Sequence, residues 1–229
     1  MTYTIQVNCS KNVYLRDPQS SELGLKMVSA SIELIDKLGF EKFTFRKLAQ
    51  QISSTEASIY RYFENKHKLL VYLTSWYWAW LEYVITYKTN NIDDPLKQMD
   101  IIIQEMGAMV RKDESFSHID EETLHRIVVS ESTKAYLTKA VDDEVKMGYF
   151  GNYRSLCKHI ANVILAVNPN YPYPITMASN LLETAHEQTF FSIHLPYLTD
   201  ICYKDGHNED VLAFLRHLFE STVVNYKQS

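Results

Sequence analysis

The chain has few of the features that mark secreted, membrane or disulfide-bonded proteins. Its three cysteines, Cys9, Cys157 and Cys202, are odd in number and widely spaced, which argues against a disulfide framework and favours the reducing cytoplasm. No run of about 18 apolar residues occurs, so we expect no membrane-spanning helix. The N-terminal residues lack the apolar core of a secretory signal. The sequence therefore predicts a soluble, cytoplasmic protein.

Glycine-rich and catalytic motifs are missing as well. The six glycines form neither a GxGxxG motif nor a P-loop, and GxSxG and HExxH are also absent, so we predict no enzyme activity, no cofactor and no resident metal. No segment alternates apolar and polar residues for long enough to predict a strand. Apolar residues recur at helical spacing instead, and we predict an all-α fold of about nine helices.

Residues 44–63 fit two short amphipathic helices joined by a tight turn. Thr44 is a suitable N-cap for the first helix, and Ser53 and Glu56 have the spacing of a capping box for the second. This layout predicts a helix-turn-helix that places its short second helix in the major groove of DNA. The predicted buried stripe of the first helix consists of Phe45, Leu48, Ala49 and Ile52.

The charge distribution agrees with that prediction, although the net charge of −5 is unusual for a nucleic-acid binder. Between Phe40 and Leu70, six basic residues stand against three acidic ones, a local charge of +3 that leaves −8 for the remainder. Such segregation directs the basic segment towards phosphates and keeps the acidic remainder away from them. A small basic patch also arises by chance, so charge alone does not decide the function.

A longer ordered series of residues surrounds the helix-turn-helix, over about residues 22–72. The series consists of Ala30, Leu34, Leu38-Gly39-Phe40, Thr44, Leu48-Ala49, Ile59-Tyr60-Arg61-Tyr62-Phe63, Asn65-Lys66 and Leu69-Leu70. It resembles the tetracycline-repressor (TetR) family of bacterial transcription regulators. The resemblance implies a three-helix DNA-binding domain, followed by a larger helical domain that binds an effector and dimerises. We predict an N-terminal tail at 1–17, the DNA-binding domain at 18–68 and the effector-binding and dimerisation domain at 69–229.

The turn between the two short helices departs from the family, which usually has Gly-Val where this chain has Ser53-Ser54. A left-handed conformation at Ser53 would cost on the order of 1 kcal/mol relative to glycine. In that conformation Ser53 could not also be the N-cap. Ser54 or Thr55 would then cap the second helix instead.

Four residues are predicted to contact bases. Arg46 lies one turn into the first helix and can bond a guanine edge at two points, although a phosphate contact or a solvated charge is an equal alternative. Glu56 and Ser58 face the groove from the second helix and can bond base edges, and the methyl group of Ala57 can contact thymine.

A second group is predicted to contact the phosphate backbone, in part by analogy with matching family positions. Tyr60 and Tyr62 have an alternative place in the core. His67 is a supplementary candidate, and the tail residues Lys11 and Arg16 could reach a minor groove, unless the tail is an unused extension. The predicted phosphate contacts are Thr44, Lys47, Thr55, Tyr60, Arg61, Tyr62 and Lys66.

The last two predicted helices are apolar on more than one side, which suits either the deep core of a large monomer or a four-helix dimer interface. TetR-like proteins dimerise through these helices, so the resemblance implies a homodimer. A two-fold dimer places two recognition helices about 34–36 Å apart, as a palindromic operator requires. The predicted interface residues are Leu182, Thr189, Leu215, Leu218, Phe219 and Thr222.

The resemblance also implies an effector cavity in the larger domain, for an unidentified small molecule. The abundant aromatic and methionine residues suit such a cavity and suit an ordinary core equally well. The candidate pocket residues are Trp80, Met106, Met109, Tyr153, His186 and Phe190.

The leading hypothesis is thus a homodimeric repressor that binds double-stranded palindromic DNA and is released by a small-molecule effector. One alternative is a metal-dependent helical-bundle oxidoreductase, because the Glu-x-x-His pairs Glu122/His125 and Glu183/His186 have the spacing of di-iron ligands. Another is a DNA-binding dimer without a ligand. In that alternative the dimer acts constitutively or as an activator.

Overall fold

The computed structural model describes residues 10, 12–107, 119–202 and 208–227. These residues form eleven α-helices and no strand, which confirms the all-α prediction. The count exceeds the expected nine or so because residues 121–146 are divided among three short helices. The helices are α1 Glu22–Leu38, α2 Phe45–Gln51, α3 Glu56–Tyr60, α4 Lys66–Thr89, α5 Pro95–Gly107, α6 Glu121–Glu131, α7 Thr133–Tyr136, α8 Val141–Lys146, α9 Gly151–Val167, α10 Pro174–His194 and α11 Glu209–Phe219.

The chain divides into two compact units. The described residues within 1–79 and 110–152 form the N-terminal unit, and those within 80–109 and 153–229 form the C-terminal unit. The N-terminal unit thus contains the predicted DNA-binding segment 18–68 together with α6, α7 and α8. No helix among the described residues has the length and apolarity needed to cross a membrane.

Helix α1 is bounded by a polar cap and a glycine. The Ser21 side chain accepts the Gly24 N–H at 3.2 Å, and this bond satisfies one of the free donors of the first turn. At the other end Gly39 has a φ of +76°, and its N–H donates to the Ile35 carbonyl at 2.8 Å. Because side chains disfavour a positive φ, glycine ends the helix there at little cost.

The turn of the helix-turn-helix follows the second of the two predicted arrangements. Thr44 caps α2 by accepting the Lys47 N–H, which confirms that prediction. Ser53 has a φ of +55°, so it is left-handed, and the predicted capping box of Ser53 with Glu56 is wrong. Thr55 is the N-cap of α3 and accepts the Ser58 N–H at 3.2 Å. Ser53 is therefore strained at the turn, and the N-cap of α3 lies two residues later, at Thr55.

Polar bonds and buried apolar residues attach α6 to the helices of the N-terminal unit. Arg126 donates from Nε and Nη2 to the two carboxylate oxygens of Asp36 on α1, both at 3.0 Å. The Glu131 carboxylate accepts the backbone N–H of Phe40 at 3.0 Å. Leu124 and Val128 of α6 are fully buried. These contacts make α6 part of the same unit as the helix-turn-helix.

The core of the C-terminal unit is formed mainly by one buried face on each of its helices. Two polar bonds join α11 and its start to α5: Arg216 Nε donates to Asp100 at 2.6 Å, and Asn208 Nδ2 donates to the Gly107 carbonyl at 3.0 Å. A π-helical turn, Glu220–Val224, continues α11. The most deeply buried apolar residues include Met99, Ile102, Met106, Leu156, Ile160, Ile164, Leu181, Leu182, Val211 and Leu215.

Candidate nucleic-acid interface

Helix α2 presents a polar face to solvent. Its predicted stripe is confirmed, since Phe45, Leu48, Ala49 and Ile52 are all at most 5% exposed. The opposite face carries exposed residues of the kind that bond base edges and phosphates. That face consists of Arg46, Lys47, Gln50 and Gln51.

Helix α3 presents its first turn outward. Glu56 and Ala57 are exposed, as base contacts must be. Ser58 is nearly buried, and its hydroxyl lies 3.0 Å from Thr55 Oγ1 and accepts from Arg61 Nη2 at 3.2 Å. Of the four residues predicted to contact bases, Arg46, Glu56 and Ala57 therefore lie at the surface, while the Ser58 hydroxyl is engaged within the turn.

The predicted phosphate contacts differ in their placement. Thr44, Lys47, Thr55, Tyr60 and Arg61 are exposed, and Tyr60 keeps 49% of its surface accessible. The Thr44 side chain accepts a backbone N–H, so its own hydroxyl hydrogen stays available to a phosphate oxygen.

The side chains of Tyr62 and Lys66, by contrast, form hydrogen bonds within the N-terminal unit. Tyr62 is 2% exposed, and its hydroxyl lies 2.7 Å from Ser21 Oγ, which agrees with the core alternative. The Lys66 ammonium donates to the carbonyl groups of Phe40, Glu41 and Phe43 at 3.0, 3.1 and 3.5 Å. An ammonium has three donors, so this arrangement uses all of them to hold the loop before α2.

Arg16, one of the two tail residues suggested as minor-groove contacts, lies against Tyr62. The Arg16 guanidinium lies over the ring of Tyr62, with 5.2 Å between its central carbon and the ring centroid, and it is exposed. The only signal in the sequence was the presence of basic residues in the tail. Lys11, the other one, lies outside the described residues.

The candidate effector residues that the structure describes all belong to the C-terminal unit. Trp80, Met106 and His186 are buried, and Tyr153 and Phe190 are half-buried. Met109 lies outside the described residues.

A polar cluster joins α9 to α10 within this unit. The Tyr153 hydroxyl donates to Glu183 Oε1 at 2.8 Å. Burial raises the pKa of the neighbouring Cys157 thiol to about 11, with a further contribution from the Glu183 charge. The thiol is therefore neutral at physiological pH and packs as an apolar group beside the tyrosine–glutamate pair.

The predicted dimer residues lie mostly within the chain's own core. Leu182, Thr189, Leu215 and Phe219 are at most 8% exposed, and Leu218 and Thr222 are half-buried. Apolar residues elsewhere on the same helices and next to them are open to solvent. They are Ile175, Ile193, Leu195, Leu198, Phe214 and Val224, all at least 40% exposed.

The two Glu-x-x-His pairs, Glu122/His125 and Glu183/His186, form hydrogen bonds with different partners. Glu122 is exposed and paired with Arg126, and His125 Nδ1 lies 2.8 Å from the Tyr77 hydroxyl. Glu183 accepts from Tyr153. Over residues 10, 12–107, 119–202 and 208–227, no group of three His, Cys, Asp or Glu side chains is arranged to hold a metal ion.

The helix-turn-helix matches a known protein family. Residues 27–73, which span most of α1, all of α2 and α3 and the start of α4, match the model of "bacterial regulatory proteins, tetR family". A search of curated proteins found no match.

Solved structures share the fold over most of the chain. A TetR-family transcriptional regulator from Pectobacterium atrosepticum is 14% identical with a TM-score of 0.59, covering 90% of this chain and 100% of its own. One from Agrobacterium tumefaciens is 20% identical with a TM-score of 0.56, at the same coverage. AibR, in complex with isovaleryl coenzyme A and operator DNA, is 13% identical with a TM-score of 0.56, covering 87% and 97%. Residues 27–73 thus carry a helix-turn-helix that matches the tetR-family model, and the chain shares its fold with solved TetR-family transcriptional regulators.

Proposed function

We propose that the chain is a cytoplasmic, homodimeric repressor that binds a palindromic operator and is released by a small-molecule effector. The proposal that the protein binds DNA is supported by the exposed surface of α2 and α3. Arg46, Glu56 and Ala57 are exposed on these two helices, and Lys47 and Arg61 flank them with positive charge. Base-reading groups framed by phosphate-binding groups are what sequence-specific recognition in a major groove requires.

Selection of bound fragments from a random duplex pool tests the proposal and yields the operator. We expect a palindrome whose half-sites lie one helical turn apart, because a two-fold dimer presents two equivalent α3 helices. If the full-length protein shows no preference for any duplex at low ionic strength, with or without candidate effectors, the proposed function is wrong.

The substitution Arg46→Ala is expected to weaken the recognition of one operator base. Loss of a two-point bond to guanine should reduce discrimination at one operator position by about 1–3 kcal/mol, with little change in the binding of unrelated DNA. Titration of the operator and of operators substituted at each position measures the effect. Lys97→Ala, at an exposed position on α5, is the control and should change nothing. Unchanged discrimination in Arg46→Ala would remove this residue from base recognition.

The dimer is supported by exposed apolar residues on the last two helices. Ile193 and Phe214 are 45% and 40% exposed, so they are available to a second copy of the chain. Leu215 and Phe219 are poor test positions, because a charge at a site already buried within the chain would destabilise the fold itself.

We expect the double variant Ile193→Glu/Phe214→Glu to be a folded monomer with weakened, non-cooperative operator binding. Sedimentation measures the mass, and circular dichroism checks the fold. Leu137→Glu, at a 75% exposed apolar position in the N-terminal unit, is the matched control and should stay dimeric. A double variant that sediments as a dimer would contradict the proposed interface.

The effector site is proposed within the C-terminal unit, around Trp80, Tyr153 and His186. Its support is that Trp80 and His186 are buried within this unit and that the Tyr153 hydroxyl donates to the Glu183 carboxylate. AibR, which shares the fold, was solved with both isovaleryl coenzyme A and operator DNA. An effector need only favour the non-binding state by a few kcal/mol to release most of the DNA. Thermal shifts against a compound panel, followed by operator release assays, separate this proposal from a DNA-binding dimer without a ligand.

A further inference from the structure

We propose that Arg16 is an additional DNA-backbone contact, presented by an N-terminal strap that is fixed onto the helix-turn-helix. The strap is defined as residues 12–16, which precede the family-matched segment 27–73. This inference rests on the proposed DNA binding and assigns a contact outside the matched segment.

The strap is anchored at four points along its length. Asn12 Nδ2 donates to the Met147 carbonyl at 2.8 Å. Val13 is 1% exposed, and Tyr14 meets the ring of Tyr72 edge-on at 6.1 Å. The Leu15 N–H then donates to the Tyr62 carbonyl at 2.8 Å. Each residue before Arg16 is thus tied down, so little conformational entropy is lost when Arg16 meets a ligand.

The platform below Arg16 is rigid. Tyr62 is 2% exposed, and its hydroxyl is bonded to Ser21, the N-cap of α1. The Arg16 guanidinium lies 5.2 Å from the centroid of this ring, and the Arg16 side chain is exposed. A guanidinium on an aromatic face keeps its N–H edges free, and those edges match the oxygens of a phosphate.

The position of the platform favours backbone over bases. In a helix-turn-helix the first residues of the recognition helix contact base edges, and these are Glu56 and Ala57 here. Arg16 lies over Tyr62, the second residue after α3, and Arg61, the C-cap of α3, is exposed as well. Two cations at the end of a recognition helix complement the phosphates that border the groove.

The test uses full-length protein and the operator selected by the wild type. Arg16→Ala should raise the Kd about three- to tenfold, equally for the operator and for a mixed-sequence duplex, and should flatten the salt dependence of binding by about one phosphate contact. Arg16→Met keeps an unbranched side chain over the Tyr62 ring without the charge, and it should show the same loss. Arg154→Ala, an exposed arginine on α9 in the C-terminal unit, is the control and should bind as the wild type does.

The outcomes separate this inference from the proposed function. Equal losses in Arg16→Ala and Arg16→Met, with a reduced salt slope, support the backbone contact. If Arg16→Met restores wild-type binding, the side chain acts only by packing on Tyr62 and the inference is wrong. It is equally wrong if both variants keep the wild-type Kd and salt slope while the wild type binds its operator. A wild type that binds no duplex overturns the proposed function itself.

Discussion

The N-terminal unit is expected to lose about 3 kcal/mol of stability through His125 as the pH falls from about 6.5 to about 4. His125 is 8% exposed, and its Nδ1 lies 2.8 Å from the Tyr77 hydroxyl. Burial lowers the pKa of the imidazole from 6.5 to about 4, and the charge of Arg126 adds to this. Burial likewise raises the pKa of Tyr77, so the phenol stays neutral and shares a hydrogen bond with the neutral imidazole.

The direction of the effect follows from proton uptake. Below pH 6.5 the unfolded chain protonates this histidine, whereas the folded chain stays neutral until about pH 4. The unfolded state therefore binds more protons in that window, and stability is full above it and falls as the pH is lowered through it.

Urea unfolding at pH 7 and at pH 4.5 measures this loss. His125→Asn keeps a polar group near Tyr77 but cannot titrate, so we expect a flatter pH dependence despite some loss of packing at pH 7. His217→Asn, at an exposed position on α11, is the matched control and should retain the wild-type pH dependence. A wild-type pH dependence in His125→Asn would show that another group is responsible.

Glu131→Ala is expected to destabilise the N-terminal unit by about 3 kcal/mol. Glu131 is 9% exposed, and its carboxylate accepts the Phe40 N–H at 3.0 Å and pairs with Lys134 at 2.7 Å. The pKa of Lys134 is raised, chiefly by its hydrogen bond to Glu131. The substitution would leave a buried backbone donor without its acceptor beside the left-handed Gly39, and such a group costs its full desolvation.

Two further substitutions separate the backbone bond from the ion pair. Glu131→Gln keeps an acceptor for Phe40 and should lose only about 1 kcal/mol. Glu122→Ala removes an exposed pair with Arg126 on the same helix and should cost about 0.5 kcal/mol or less. Urea unfolding gives the stabilities. If Glu131→Ala is no less stable than Glu122→Ala, the carboxylate does not hold the loop.

The same substitution should also weaken operator binding. The loop that Glu131 holds runs from Phe40 to the N-cap Thr44, and Lys66 holds it from the other side through three carbonyl groups. Because this loop sets the start of α2, its loosening displaces Arg46 from a fixed position and adds an entropic cost to DNA binding.

Local patterns in the sequence were enough to predict the helix-turn-helix. The spacing of Phe45, Leu48 and Ile52 places all three on one side of a helix, whatever the rest of the chain does. Thr44 caps α2 because the donor it satisfies is only three residues away. The Ser53 alternative could be stated in advance for the same reason, since a left-handed residue and a cap cannot coincide.

Side-chain roles that depend on distant partners could not be predicted. Tyr60 and Tyr62 are equally aromatic in sequence, yet Tyr62 is buried against Ser21 and Arg16, and Tyr60 is exposed. Lys66 looked like a phosphate contact, and only the fold shows its ammonium bonded to three carbonyl groups. The apolar faces of α10 and α11 indicated that these helices are buried. They did not indicate against what, because an apolar side chain packs equally well against its own chain or against a second copy.

The sequence by itself determined the helical fold and the helix-turn-helix that matches the tetR-family model, because these depend on periodicity and caps within a few residues. Only the tertiary structure decided which tyrosine is core, that Glu131 holds a loop 91 residues away, and that Arg16 lies over Tyr62. Those roles arise from partners that are far apart in the chain, and side-chain chemistry alone does not specify which partner the fold supplies.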